Sequence, residues 1–280
     1  MTRRPDYFYG GPPKAGSSWI HGLLAAHPEV FVPDGKYVQY FTDYYDRGMG
    51  WYEGHFSLAG SQHKVLCDLT TDYLFDPTAA ERLAQDIPTA RIFFSLRNPI
   101  DRDWSAYQHL LRLGQAYGPI EEEIETANSL LSRCSAYADA IERSWRFFGQ
   151  ENTFILWFDD IRDHPQEAAS ALYDFLGVSQ RMLPTSTDTS RNVARLARSP
   201  RLNRILKHGA ILMRHAGLNG LIGAIKQNEA VNRALFTSKN VPKLRDCPDQ
   251  WHFLSKRHAA EIDRLEVLLS RDLSSWRSIN

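Results

Sequence analysis

Lys14 sits in the run Gly11-Pro12-Pro13-Lys14-Ala15-Gly16-Ser17-Ser18-Trp19, which combines a cation, two hydroxyls and small residues. Such a run suits a phosphate or a sulfate. Small residues let backbone N–H groups approach an anion, and a helix N-terminus adds a favourable dipole. Ser17 and Ser18 supply hydroxyl donors, and Lys14 supplies a point charge that can follow negative charge as it moves in group transfer. The run is not a Walker A loop, in which the lysine follows the second glycine. Read alone, the same residues also describe a capped helix after a glycine turn. A second run, Ser95 to Tyr107, places Arg97 at the end of an apolar stretch and Ser105 two helical turns beyond it. An arginine at a strand end and a serine on the adjoining helix can grip a second phosphate together. The competing reading is a surface Arg–Asp pair using Asp101 or Asp103, and for Arg102 that reading is preferred.

Taken together, the two runs resemble the sulfotransferases that use 3′-phosphoadenosine 5′-phosphosulfate (PAPS). The first is similar to that family's 5′-phosphosulfate loop, Lys-x-Gly-Thr/Ser-Thr/Ser-x-Leu/Ile, matched at Lys14, Gly16, Ser17, Ser18 and Ile20. The second is similar to its 3′-phosphate motif, Leu-Arg-Asn-Pro-x-x-Arg-x-x-Ser-x-Tyr, matched from Leu96 to Tyr107. Their separation of about 80 residues resembles the branch that includes heparan sulfate and bacterial sulfotransferases. The likeness continues through His27-Pro28-Glu29-Val30, Trp51-Tyr52, Asp68 to Tyr73, Leu265-Glu266 and Leu273 to Trp276, and leaves out roughly 190–245.

The resemblance implies a P-loop-like fold and transfer of a sulfuryl group to an acceptor hydroxyl or amine, with 3′-phosphoadenosine 5′-phosphate (PAP) as product and no metal. Lys14 would stabilise the bridging oxygen as the 5′-phosphate leaves. Ala15, Gly16, Ser17, Ser18 and Trp19 would complete the donor loop, and Arg97 and Ser105 would hold the 3′-phosphate. Arg191, in Thr189-Ser190-Arg191-Asn192, matches by position a late loop that closes over the nucleotide. The acceptor would be a small molecule or a carbohydrate.

The sequence departs from the family at the general base. Where the branch reads Lys-Glu-x-His/Asn-Phe/Tyr-Phe, this chain has Lys36-Tyr37-Val38-Gln39-Tyr40-Phe41. Tyr37 replaces the glutamate, and a tyrosine with a pKa near 10 is a poor base at neutral pH. Asp68 is the substitute candidate, with a turn or helix cap as its alternative. His109, Asp43 and His55 are further candidates, each with a packing explanation. A PAPS- or PAP-binding protein that has lost catalysis is the second hypothesis. The aromatic cluster Tyr37, Tyr40, Phe41, Tyr44, Tyr45, Trp51 and Tyr52 could line an acceptor pocket, and core packing accounts equally well for about half of it.

Positioning these residues requires strands that end at each motif and helices that start there. Tyr7-Phe8-Tyr9, Val30-Phe31-Val32, residues 64–69, 91–96 and 153–158 read as strands. Helical patterns follow at 17–26, 78–86, 100–113, 120–149, 165–176 and 261–269. Alternating strands and helices predict an α/β fold, a doubly wound, mostly parallel sheet flanked by helices in one domain over 1–280. Its 280 residues and 43% hydrophobic content are ample for a buried core. The 33 basic and 33 acidic side chains cancel, which argues against a nucleic-acid partner. Yet residues 189–245 hold twelve Lys/Arg against one acid, Glu229. That stretch is expected to be a basic, partly helical lid or acceptor-side insertion, with residues 200–226 a candidate for peripheral membrane contact. Cys67, Cys134 and Cys247 show no paired spacing, which implies free thiols in a reducing compartment. With no signal-peptide pattern and no transmembrane run, a cytoplasmic location is expected. Neither the acceptor's identity nor the oligomeric state follows from the sequence.

Overall fold

The computed structural model describes residues 3–33, 37–113, 115–116, 118–125, 131, 133–183, 195–197, 236–240 and 242–279. Five short apolar segments form one sheet: β1 (Tyr7–Gly11), β2 (Val30–Phe31), β3 (Val65–Asp68), β4 (Arg91–Leu96) and β5 (Thr153–Trp157). Their order is β2-β3-β1-β4-β5, and every pairing is parallel. β1 is central, with Phe8 opposite Asp68 on one side and Ile92 on the other. A parallel sheet needs crossover connections, so helices cover both of its faces. The expected doubly wound α/β fold is thus present as a single domain.

Alternation along β1 sends its side chains to two cores. Phe8 joins Leu66, Ile92, Phe94 and the buried faces of α4 (Pro77–Asp86), α5 (Pro99–Leu113) and α7 (Tyr137–Phe148). Tyr7 and Tyr9 join Cys67, Phe93 and Leu156 under α1 (Ser17–Ala25), α8 (Phe158–Asp163) and α9 (Pro165–Leu176). Each such side chain contributes about 1.5–3 kcal/mol when fully buried.

Several boundaries differ from the sequence reading. The helical stretch expected over 120–149 is divided into α6 (Ile120–Glu123) and α7, with 126–130 outside the described residues. Two short helices, α2 (Tyr40–Asp43) and α3 (Met49–Gly54), were not expected. α8 begins directly where β5 ends, because Phe158 and Ile161 turn inward toward the Gly16 backbone. The tail helix is longer than its amphipathic core, running as α10 (Pro248–Leu269) and burying Leu254, His258, Ile262 and Leu265. β6 (Arg195–Ala197) and β7 (Phe236–Asn240) form a separate antiparallel pair. The rest of the basic segment up to residue 241, including 200–226, lies outside the described residues. Its end is anchored: the Pro242 carbonyl accepts hydrogen bonds from Trp104 (3.2 Å) and Gln108 (2.9 Å) on α5. Cys67 and Cys134 are buried and Cys247 half-buried, all as free thiols.

Candidate active site

A cleft of ≈ 730 Å³ opens at the carboxyl ends of β1, β3 and β4. This is where an open parallel sheet presents its ligand site, and the volume is that of a small-molecule pocket. One wall is the β1–α1 loop, from Pro13 and Lys14 to Gly16, Ser17, Ser18 and Trp19. Gly11 (φ 93°), Lys14 (φ 73°) and Gly16 (φ 99°) all adopt the left-handed region. Left-handed turns point successive amides toward one concavity, a ready anion nest. For Lys14, a residue with a Cβ, that conformation costs on the order of 1–3 kcal/mol and persists only where the surroundings enforce it.

Those surroundings are two hydroxyls from the sheet. Tyr9 Oη donates to the Pro12 carbonyl (3.0 Å), and Ser95 Oγ donates to the Ala15 carbonyl. Ala15 is fully buried and does not line the cleft, unlike its neighbours Lys14 and Gly16. Neither Tyr9 nor Ser95 was singled out by sequence, since their role depends on β1 and β4 lying side by side.

The adjoining wall carries Arg97 at the end of β4 and Ser105 on α5. Arg97 donates to the Lys14 carbonyl (3.2 Å), and its guanidinium lies 4.7 Å from the centre of the Phe158 ring. Burial lowers its pKa, with Asp101 and Asp159 opposing, but an arginine stays charged. Gln108, His109, Arg112 and Arg162 extend this wall, making it strongly basic. His109, for which packing was an alternative, therefore faces the cleft.

Other residues of the Arg97 run are structural. Asn98 donates to the Trp276 carbonyl (2.9 Å) and accepts from the Ile100 amide (3.1 Å), tying the chain's end to the site. Tyr107 donates to the Gly118 carbonyl. Arg102 corrects an expectation: it is fully buried, not at the surface, and pairs with Asp103. Asp103 also accepts from Ser135 (2.8 Å) and meets His258 Nε2 at 2.7 Å. Its surroundings keep its carboxyl below the ordinary value, mainly through the Arg102 charge working against burial.

The third wall is formed by Tyr37, Gln39, Thr70, Thr71 and Asp72. Tyr37 lies in hydrogen-bond reach of Ser17 and Thr71, bridging the first wall to the third. Desolvation raises its phenol pKa above the usual value, with the Asp72 charge adding to the rise, so it is a still poorer base than a free tyrosine.

Asp68 corrects the other expectation. It is 0% exposed, does not line the cleft and receives four hydrogen bonds. Oδ1 accepts from the Thr70 amide (2.9 Å) and hydroxyl (2.7 Å), and Oδ2 accepts from Tyr52 (2.9 Å) and Tyr73 (3.1 Å). Thr70 Oγ1 in turn accepts from the Val38 and Gln39 amides, and Tyr73 Oη accepts from the Tyr40 amide. Asp68 is therefore the hub that holds segment 37–40 against the loop after β3. Of the aromatic cluster, only Tyr37 lines the cleft. Tyr40, Phe41 and Tyr52 are core, with Tyr40 stacked on Tyr52 at 4.6 Å. Asp43 accepts from Gln39 Nε2 (3.1 Å), and His55 packs edge-on against Trp51. Arg191 lies outside the described residues. Among the described residues no group of His, Cys, Asp and Glu is arranged to hold a metal ion, and no helix is long and apolar enough to cross a membrane.

The family model for the sulfotransferase domain matches residues 4–211. The bifunctional heparan sulfate N-deacetylase/N-sulfotransferase 2 of Homo sapiens is 27% identical over 212 residues, covering 66% of this chain and 23% of that protein. A membrane-associated sulfotransferase, kil1, of Dictyostelium discoideum is 30% identical over 105 residues, 37% of this chain and 22% of that protein. The chain thus spans less than a quarter of the length of these curated relatives. A crystal structure of a sulfotransferase from Alicyclobacillus acidocaldarius superposes with a TM-score of 0.69 at 22% identity, over 99% of this chain and 100% of that one, which shows a shared fold.

Proposed function

The chain belongs to the sulfotransferase domain family, and on that premise we propose that it transfers a sulfuryl group from PAPS to an acceptor hydroxyl or amine. One observation carries the reading: two motifs about 80 residues apart in sequence line one cleft, joined by the Arg97–Lys14 hydrogen bond. The spacing alone does not require this. The donor's 5′-phosphosulfate is assigned to the left-handed Lys14–Ser18 loop, and its 3′-phosphate to Arg97 and Ser105. The walls fit such a nucleotide with its two anionic groups, since backbone amides, hydroxyls and cations converge there.

Transfer of this kind is in-line, with charge spread over the equatorial oxygens and the leaving phosphate. Lys14 would neutralise charge developing on the bridging oxygen, and the loop amides with Ser17 and Ser18 would hold the departing phosphate. Arg97, braced by the Lys14 carbonyl and the Phe158 ring, would set the register of the nucleotide. The acceptor enters from the Tyr37–Gln39–Asp72 wall. A small-molecule or carbohydrate acceptor agrees with the heparan sulfate relatives, and a cytoplasmic location with a basic 190–245 lid remains part of the proposal.

Isothermal titration with PAP and with ATP tests the donor site. PAP is expected to bind and ATP to bind far more weakly; the reverse preference would sink the assignment. The second reading, donor binding without transfer, is favoured by the unsuitability of Tyr37 and Asp68 as bases. Consumption of PAPS against an acceptor panel separates the two.

A further inference from the structure

Three aspartates follow one another at four-residue spacing from the end of β3, Asp68, Asp72 and Asp76, and each has a different environment. Asp68 is sealed in the core, with both carboxylate oxygens hydrogen-bonded. Asp76 caps α4, accepting from the Thr78 and Ala79 amides and pairing with Arg133 at 3.2 Å. Asp72 does neither. It precedes the short turn Tyr73–Phe75 without a side-chain capping bond, and it lines the cleft. Its Oδ1 is shielded from solvent and has no hydrogen-bond partner among the described residues. A buried acceptor left unsatisfied is costly and calls for an explanation.

Asp72 is also held at the donor. Its neighbour Thr71 is within hydrogen-bond reach of Tyr37, which reaches Ser17 of the donor loop. A Cβ on Gly11 would come within 2.2 Å of the Thr71 carbonyl oxygen, so β1 and this loop are pressed together. Asp72 is thus the carboxylate on the acceptor wall, on the same cleft as Lys14.

We propose that Asp72 is the general base of the reaction, standing in for the glutamate absent at Tyr37; this rests on the sulfuryl-transfer reading above. As the acceptor oxygen bonds to sulfur, the bond from sulfur to the bridging oxygen of the 5′-phosphate breaks and its electron pair leaves with PAP. The acceptor proton passes to the Asp72 carboxylate and then to solvent. The groups acting on or near Asp72 are Asp43 of α2, Asp68 of β3, Tyr37 and Arg133, and Lys14 lines the same cleft. Burial and the Asp43 and Asp68 charges raise its carboxyl to about 6, while its own amide and Arg133 oppose them. A base tuned close to operating pH is what proton abstraction favours.

The test is single-turnover cleavage of PAPS by the full chain, with water and with 4-nitrophenol as acceptors, from about pH 5 to about pH 9. Wild type, Asp72→Asn and Asp72→Glu are compared, and PAP affinity is measured for each. Asp72→Asn should slow cleavage by water about 10²–10⁴-fold and slow transfer to 4-nitrophenol, already partly ionised, by less. PAP affinity should change by no more than about twofold, and Asp72→Glu should recover part of the rate. The wild-type rate should fall on acidification with a midpoint near 6, and that limb should vanish in Asp72→Asn. Wild-type rates and an unchanged acidic limb in Asp72→Asn overturn the proposal, as does a loss of PAP affinity matching the loss of rate. A wild type that binds PAP but cleaves PAPS no faster than buffer overturns it too. Failure of the wild type to bind PAP refutes the donor reading instead.

Discussion

The two sides of the cleft to which we assign donor and acceptor are built on different principles. The donor side is made from contiguous sequence, Lys14–Trp19 and Arg97–Ser105, and much of its chemistry resides in backbone amides and fixed loop geometry. The acceptor side is assembled from 37–39 and 70–72, segments joined through Thr70, whose amide and hydroxyl are fixed by the buried carboxylate of Asp68. A side made of backbone tolerates little change of pattern. A side made of side chains on a hydrogen-bonded hub can exchange one base for another while the frame persists.

Breaking the donor side should have the largest effect. Lys14→Ala is expected to lower transfer about 10²–10³-fold, the scale of losing one charge-stabilising donor, with a much smaller effect on PAP affinity; turnover and titration together check this. Arg97→Ala should act on binding, weakening PAP about 10–100-fold as a charged hydrogen bond is lost, with the rate at saturation little altered. A rate loss without an affinity loss would reverse the roles of the two walls.

The acceptor side should fail through stability first. Asp68→Asn leaves buried donors unsatisfied and should destabilise the fold by about 1–3 kcal/mol, read as a lower midpoint in urea, with PAP affinity preserved once folded. The smallest effect has the opposite sign. Asp72 is raised to about 6 in the folded chain from an ordinary value of 3.8, so the folded state binds more protons between those values. Its contribution to stability is therefore fullest below about 4 and is lost as pH rises through 6. Asp72→Asn should accordingly stabilise the protein at neutral pH by about 1–2 kcal/mol after solvent screening, with the gain gone near pH 4. Equal denaturation midpoints at both pH values would remove the strained carboxylate from the comparison.

The sequence was legible where chemistry is local. Lys14, Ser17, Ser18 and Trp19 line the cleft as their motif implies, and so do Arg97 and Ser105. The strand–helix alternation was readable because each crossover is continuous in sequence. Asp72 is not legible beside Asp68, which occupies the more prominent strand-end position, since burial is not written in residue type. Tyr40, Phe41 and Tyr52 were ambiguous for the same reason, since an aromatic suits a pocket wall as well as a core. The burial of Arg102 is not legible in the sequence, because an Arg–Asp neighbour pair carries no mark of depth.

What the sequence determined alone is the family, through its two spaced motifs, and the alternation that builds the sheet, because apolar periods and turn residues act over a few positions. Only the tertiary structure decided which of three aspartates is core, cleft and cap. Their spacing is uniform, and what separates them is desolvation and hydrogen-bond supply. Both depend on residues as distant in sequence as Tyr52, Arg133 and Gly11, which only the packed sheet brings together.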